Sequence, residues 1–184
     1  MWNIPNTLTA FRLILIPIFI VLFFIPAKWS FFWAAFIFWL ASVSDFLDGY
    51  LARKLEQSTP FGAFLDPVAD KVMVSVALIA LTQHYQSLFI TIPTIIIISR
   101  EIIVSALREW MAEMGERANV AVSQLGKIKT AAQMLAIIGL IWQYDSQMIT
   151  LSFVLFYIAT ILTFISMVQY LAAGWSALSQ SHNR

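Results

Sequence analysis

Six runs of apolar residues, parted by short polar breaks, dominate this chain. They fall near 13–25, 30–44, 72–82, 88–107, 131–142 and 148–173. The hydrocarbon core of a bilayer takes about 20 helical residues to cross, at about 1.5 Å each. Only the fourth and sixth runs reach that length unaided. The others must extend through polar residues: the first through 6–12, the second through 42–52, the third from Gly62 or Asp66, the fifth from Gly126. In each, the polar extension lies at one end only. Composition points the same way, with 60% hydrophobic and 11% charged residues. A soluble domain carries about 25% charged residues, and folding in water would leave apolar surface with nothing polar to cover it. The sequence predicts an all-α, polytopic membrane protein. Its 184 residues form a single domain of six transmembrane helices.

Charge sets the expected orientation. Of the eleven Lys and Arg residues, only Lys28 falls in a turn on the far side. Arg12, Arg53, Lys54, Arg108, Arg117, Lys127 and Lys129 gather at the opposite ends. Positive charge favours the cytoplasmic face, so both termini are expected there. The turns at 26–29, 83–87 and 143–147 then face outward. Trp2, Trp29, Trp110, Trp142 and Trp175 lie near span ends, where an aromatic belt places them. No small-x-small cleavage site follows the first run, which continues FFIPAKWS, so it reads as a retained span. Cysteine is absent, which removes disulfides and thiolate chemistry. A net charge of +1 argues against nucleic acid as a partner. Residues 54–61 form a short polar loop, and residues 108–126 a helix end or interfacial helix followed by a loop. No internal repeat is visible.

Four of the five aspartates, Asp45, Asp48, Asp66 and Asp70, stand at the polar ends of the second and third helices. A charge in hydrocarbon costs at least about 2.5–3.5 kcal/mol, and four carboxylates together repel one another. Asp45 and Asp48 are spaced i, i+3 and share a helix face; Asp66 and Asp70 share one at i, i+4. A short loop makes the two helices antiparallel neighbours, so the faces can meet. Hard oxygen donors of this kind select Mg²⁺ or Mn²⁺. Four carboxylates suffice for two such ions, which clamp the attacking and leaving oxygens of a phosphoryl displacement. Gly49 and Ala52 let a ligand lie close to the helix, Arg53 can pair with phosphate, and Gly62 repeats the small-residue logic. Pro67 suits a helix's first turn; if the helix starts at Gly62 instead, the proline is interior. Solvated helix-end carboxylates would explain any one of these aspartates, but not four at these spacings with Gly and Ala between.

The stretch DFLDGYLARKLEQSTPFGAFLDPVAD reads D-x2-D-G-x2-A-R-x8-G-x3-D-x3-D. It resembles the signature of the CDP-alcohol phosphotransferases, with every fixed position present. The resemblance implies six transmembrane helices, a homodimer and an active site open to the cytoplasm, in a bacterial inner membrane. CDP-diacylglycerol would be the donor and two divalent cations, Mg²⁺ or Mn²⁺, the cofactors. Asp45, Asp48, Asp66 and Asp70 would hold metal, with Asp70 also the general base. Asp48, Gly49, Ala52, Arg53 and Gly62 would line the nucleotide site, and Asn6 and Thr9 would contact the diphosphate. NTLTAFRLILIP, SREIIVSALREWMAE and GKIKTAAQ are similar to segments of bacterial members whose acceptor is sn-glycerol 3-phosphate.

An acceptor phosphate needs cationic partners. Arg100 lies inside the apolar run TIIIISREIIV, and an intramembrane arginine is a functional candidate by default. Arg108 is eight residues on, about 80° round the helix, and its length lets it reach the same cavity. Lys127 and Lys129 sit where the chain re-enters the membrane. Positive-inside anchoring is the plainer reading for these four, as a counter-ion role is for Lys71. His84 reads as interfacial, and Glu109, Glu113 and Glu116 as a solvated face. An intramembrane prenyltransferase would split its aspartate motifs between halves of a longer chain. A cation transporter would have no use for Gly49, Ala52 and Arg53. A relative with another acceptor (inositol phosphate, serine or phosphatidylglycerol) stays open, because the signature does not encode the acceptor.

Overall fold

The computed structural model describes residues 4–54, 60–113 and 124–181. Side chains at 4–6, 46, 48–54, 60, 61, 63, 64, 66, 112, 113, 124–128 and 173–181 stand outside that description. The described chain is helical, with no strand. Its helices are α1 (Ile4–Phe24), α2 (Ser30–Lys54), α3 (Pro60–Tyr85), α4 (Leu88–Glu113), α5 (Gln124–Trp142) and α6 (Ser146–Ser181). The six apolar runs each became one helix, and the polar extensions are helical too. Segments long and apolar enough to cross a membrane lie in α1, α4 and α6, at Thr7–Phe24, Leu88–Met111 and Ser146–Ala172. The apolar stretches of α2 and α5 are shorter, Ser30–Asp45 and Lys129–Trp142.

Side-chain contacts fix the sense of each helix. Phe19 packs on Phe38 and Phe23 on Phe31, so α1 and α2 are antiparallel. Thr82 meets Thr94 and Lys71 donates to Ser105, so α3 and α4 are antiparallel as well. Tyr157 donates to the Phe89 carbonyl, and Arg108 to Tyr170, so α4 and α6 run side by side in the same direction. The chain therefore goes up and down in strict alternation. Its polar extensions meet at one end, and the turns after Phe24, Tyr85 and Trp142 lie at the other.

Packing and surface are those of a protein in an apolar solvent. Phe19, Phe38, Leu78, Ile137, Leu140 and Phe156 are fully buried and join five helices. The outside carries Ile14, Val21, Ile79, Ile92, Ile102, Leu135 and Leu151, a surface that water would penalise. Where no water competes, polar groups must be satisfied within the protein. Accordingly Ser42, Ser44, Thr82, Ser152, Thr160 and Thr163 donate to carbonyls one turn back. Gly139 allows α5 and α6 to touch, since a Cβ there would stand 3.0 Å from the Ser152 Cβ.

At the turn end, Gln86 and Gln143 close α3 and α5 in the left-handed region, at φ 45° and 53°. Their N–H groups donate to the Thr82 and Gly139 carbonyls. Asp145 caps α6 by accepting from the Met148 N–H at 2.6 Å. His84 is exposed and hydrogen-bonds with Gln143 at 3.2 Å.

Boundaries moved in two places. Helix α3 is described from Pro60, ahead of the expected start at Gly62 or Asp66. Pro67 is interior to it. The sixth helix runs to Ser181, past the end of its apolar run at 173. Residues 55–59 of the expected polar loop, and 114–123 of the segment after α4, lie outside the described residues.

Candidate active site

The polar end of the bundle carries two adjoining clusters. The first begins on α1, where Thr9 and Arg12 are three residues apart and both buried. Arg12 has 1% of its side chain exposed, and its Nη1 lies 2.8 Å from Asp45 Oδ1 on α2. Asp45 is 42% exposed, so this carboxylate looks out of the protein while its partner looks in. Asp70, on α3, is half-buried. Its electrostatic neighbours are Asp45, Arg12, Glu101 and Lys71. Asp45 on α2 and Asp70 on α3 are thus within electrostatic range of each other. Lys71 also donates to Ser105 on α4, so it ties two helices together besides offsetting charge.

Within the signature, α2 is helical to Lys54 and α3 from Pro60. That preserves the i, i+3 relation of Asp45 and Asp48 and the i, i+4 relation of Asp66 and Asp70. Gly62 is buried on α3. The side chains of Asn6, Asp48, Gly49, Ala52, Arg53, Asp66 and Lys127 lie outside the described residues, although their backbones are helical. Among the described residues no three His, Cys, Asp or Glu side chains form a metal-sized group.

The second cluster lies between α4, α5 and α6. Arg100 donates to Glu101 Oε1 at 2.8 Å and to Ser166 Oγ at 3.2 Å. Adjacent helical residues do not ordinarily face each other, so Arg100 and Glu101 curl into one cleft. Arg108 donates to the Tyr170 hydroxyl at 2.9 Å. Lys129 on α5 is buried, and its electrostatic neighbours are Arg100, Glu101 and Arg108. Three of the four cations expected at an acceptor phosphate therefore converge, from two helices.

Glu101 is the electrostatic neighbour of both Asp70 and Lys129, which joins the clusters. Together they set carboxylates on one side and cations on the other, with the Glu101 carboxylate between. Sequence reasoning placed Arg12 only among anchoring charges and gave Glu101, Ser166 and Tyr170 no role. The signal for Arg12 was its three-residue spacing from Thr9. Ser166 and Tyr170 share a face at i, i+4, but nothing in the sequence announces that α6 lies against α4.

The family model for CDP-alcohol phosphatidyltransferase matches residues 2–173. The chain belongs to this family. Relatives cover nearly its whole length. A Haemophilus influenzae protein is 58% identical over 177 residues, 96% of each chain. One from Yersinia pestis is 56% identical over 176 residues, 96% of this chain and 97% of its own. One from Shigella flexneri is 54% identical over 173 residues, 94% of this chain and 95% of its own. All three carry the name CDP-diacylglycerol–glycerol-3-phosphate 3-phosphatidyltransferase.

Proposed function

We propose that this phosphatidyltransferase moves the phosphatidyl group of CDP-diacylglycerol to sn-glycerol 3-phosphate, giving phosphatidylglycerophosphate and CMP. The observation that carries this reading is the pairing of Asp45 and Asp70 with the Arg100, Arg108 and Lys129 cluster at one end of the bundle. The relatives' shared name supplies the substrates.

The reading extends to topology and cofactors. The six helices span a bacterial cytoplasmic membrane, with both termini and the site on the cytoplasmic side. Alternating helix sense and the one-sided Lys and Arg distribution support that orientation. The active species is a homodimer, as the family resemblance implies. Mg²⁺ or Mn²⁺, two per site, would be held by Asp45, Asp48, Asp66 and Asp70. The residues present fit such ions in their donor chemistry, since all four are carboxylates, and Arg12 beside Asp45 offsets only part of their summed charge. Bound there, the ions would neutralise the diphosphate and the departing CMP.

The protein's own groups do the rest. The phosphatidyl tails extend sideways among the lipid chains. Arg100, Arg108 and Lys129, with Lys127, hold the acceptor phosphate. Asp70 takes the proton from the C1 hydroxyl. That oxygen forms the new bond to the phosphorus bearing diacylglycerol as the bond to CMP breaks. None of the signature's fixed positions is Ser, Cys or His, and the displacement is direct.

An acceptor panel tests the assignment. Purified protein with CDP-diacylglycerol is offered glycerol 3-phosphate, serine, inositol phosphate or phosphatidylglycerol, with Mg²⁺, Mn²⁺ or chelator. CMP release is expected to be fastest with glycerol 3-phosphate and to stop with chelator. Faster release with serine or inositol phosphate would show that the acceptor is misassigned.

A further inference from the structure

The acceptor cations have a physical problem that the substrate does not explain. Arg100 and Arg108 are like-charged, long and flexible, and each side chain has about 2 kcal/mol of rotamer entropy to lose. Left alone at the edge of an apolar phase they would diverge toward water. They do not diverge, and the reason lies on α6. The Tyr170 ring centroid is 5.1 Å from the Arg108 Cζ and 5.9 Å from the Arg100 Cζ. Its hydroxyl accepts from Arg108 Nη2 at 2.9 Å. One turn earlier, Ser166 accepts from Arg100 Nη2 at 3.2 Å. A single aromatic ring therefore stands against both guanidinium groups. Its π-electrons attract each of them, and its bulk keeps them apart.

We propose that Tyr170 is a positioning residue for acceptor recognition: it holds the Arg100 and Arg108 guanidinium groups aimed at one anionic group, the phosphate of the acceptor. This rests on the glycerol 3-phosphate reading and deepens it. Two observations point to an anion and not to helix packing alone. The Nε atoms of Arg100 and Arg108 are both buried without a hydrogen-bond partner among the described residues. Buried guanidinium N–H groups left in that state carry a desolvation penalty that an oxyanion would remove. Charge agrees as well. Arg100, Arg108 and Lys129 set against Glu101 leave two positive charges in excess. A phosphate monoester carries about −1.5 to −2 near neutral pH. With Tyr170 and Ser166 holding Nη2 atoms from the α6 side, the bound phosphate receives the remaining edges of the forks.

Steady-state kinetics with both substrates varied separately provide the test, using Tyr170→Phe, Tyr170→Leu and wild type in the same detergent. Tyr170→Phe keeps the ring and loses the acceptor oxygen. Its KM for glycerol 3-phosphate is expected to rise about tenfold, with kcat and the KM for CDP-diacylglycerol within about twofold. Tyr170→Leu loses the ring as well, and its KM for glycerol 3-phosphate should rise about threefold further. If the leucine variant does not fold, Tyr170→Phe combined with Ser166→Ala replaces it. An unchanged KM in Tyr170→Phe, or an equal rise for both substrates, overturns the inference while leaving the activity assignment intact. A wild type that prefers an acceptor without phosphate overturns both.

Discussion

A half-buried carboxylate inside a helix, with Asp45 in electrostatic range and Lys71 beside it, is in a position to accept a proton and still be recharged. Asp70 has that setting. Replacement by asparagine keeps the shape and removes the basic oxygen. A positioned general base contributes about 10²–10⁴ in rate, so Asp70→Asn is expected to lower kcat by at least about 100-fold. CMP release from labelled CDP-diacylglycerol measures it, and undiminished turnover would take Asp70 out of the base role. At this scale the sequence was informative where chemistry is local. The four aspartates stand out in the sequence because their spacing is short and charge is costly near an apolar phase. Arg12 and Tyr170 were not, since what matters about each is a partner brought near by tertiary packing, 33 residues downstream in one case and 62 upstream in the other.

Helices settle how closely those partners approach, and α5 against α6 is the tightest example. Alanine at position 139 would place its Cβ 1.9 Å from the Ser152 Oγ and 3.0 Å from the Ser152 Cβ. The hydroxyl can rotate away, but the Cβ carbons can part only if the helices do. Gly139→Ala is expected to destabilise the protein by about 1–3 kcal/mol, as overpacking does. Adding Ser152→Gly should recover most of that. Thermal unfolding of the purified protein in detergent reads both effects, and equal melting of wild type and Gly139→Ala would show that the contact yields freely. Apolar periodicity located every helix, because a bilayer demands long apolar runs. It misplaced ends wherever polar chain stays helical, as at Pro60 and Ser181. There the hydrophobic signal stops before the backbone hydrogen bonds do.

For the whole molecule, strict alternation of helix sense turns a list of helices into a testable orientation. The chain has no cysteine, so any introduced thiol is unique. Lys28→Cys, in the turn after α1, is expected to react with a membrane-impermeant maleimide in intact spheroplasts. Thr130→Cys, at the opposite end, should react only after permeabilisation. The reverse pattern would invert the topology. Charge asymmetry in the sequence is what argues for this orientation, whereas the meeting of the two clusters across Glu101 depends on a three-dimensional arrangement that no linear spacing encodes. The Arg12–Asp45 pair bears on how such a molecule is made. When α1 leaves the ribosome it carries a basic group destined for burial, and the carboxylate that answers it has yet to emerge. The first helix gains a reason to settle only once the second arrives, so insertion should proceed by hairpin. Truncation before residue 45 is then expected to leave α1 loosely held and exposed to quality-control proteolysis.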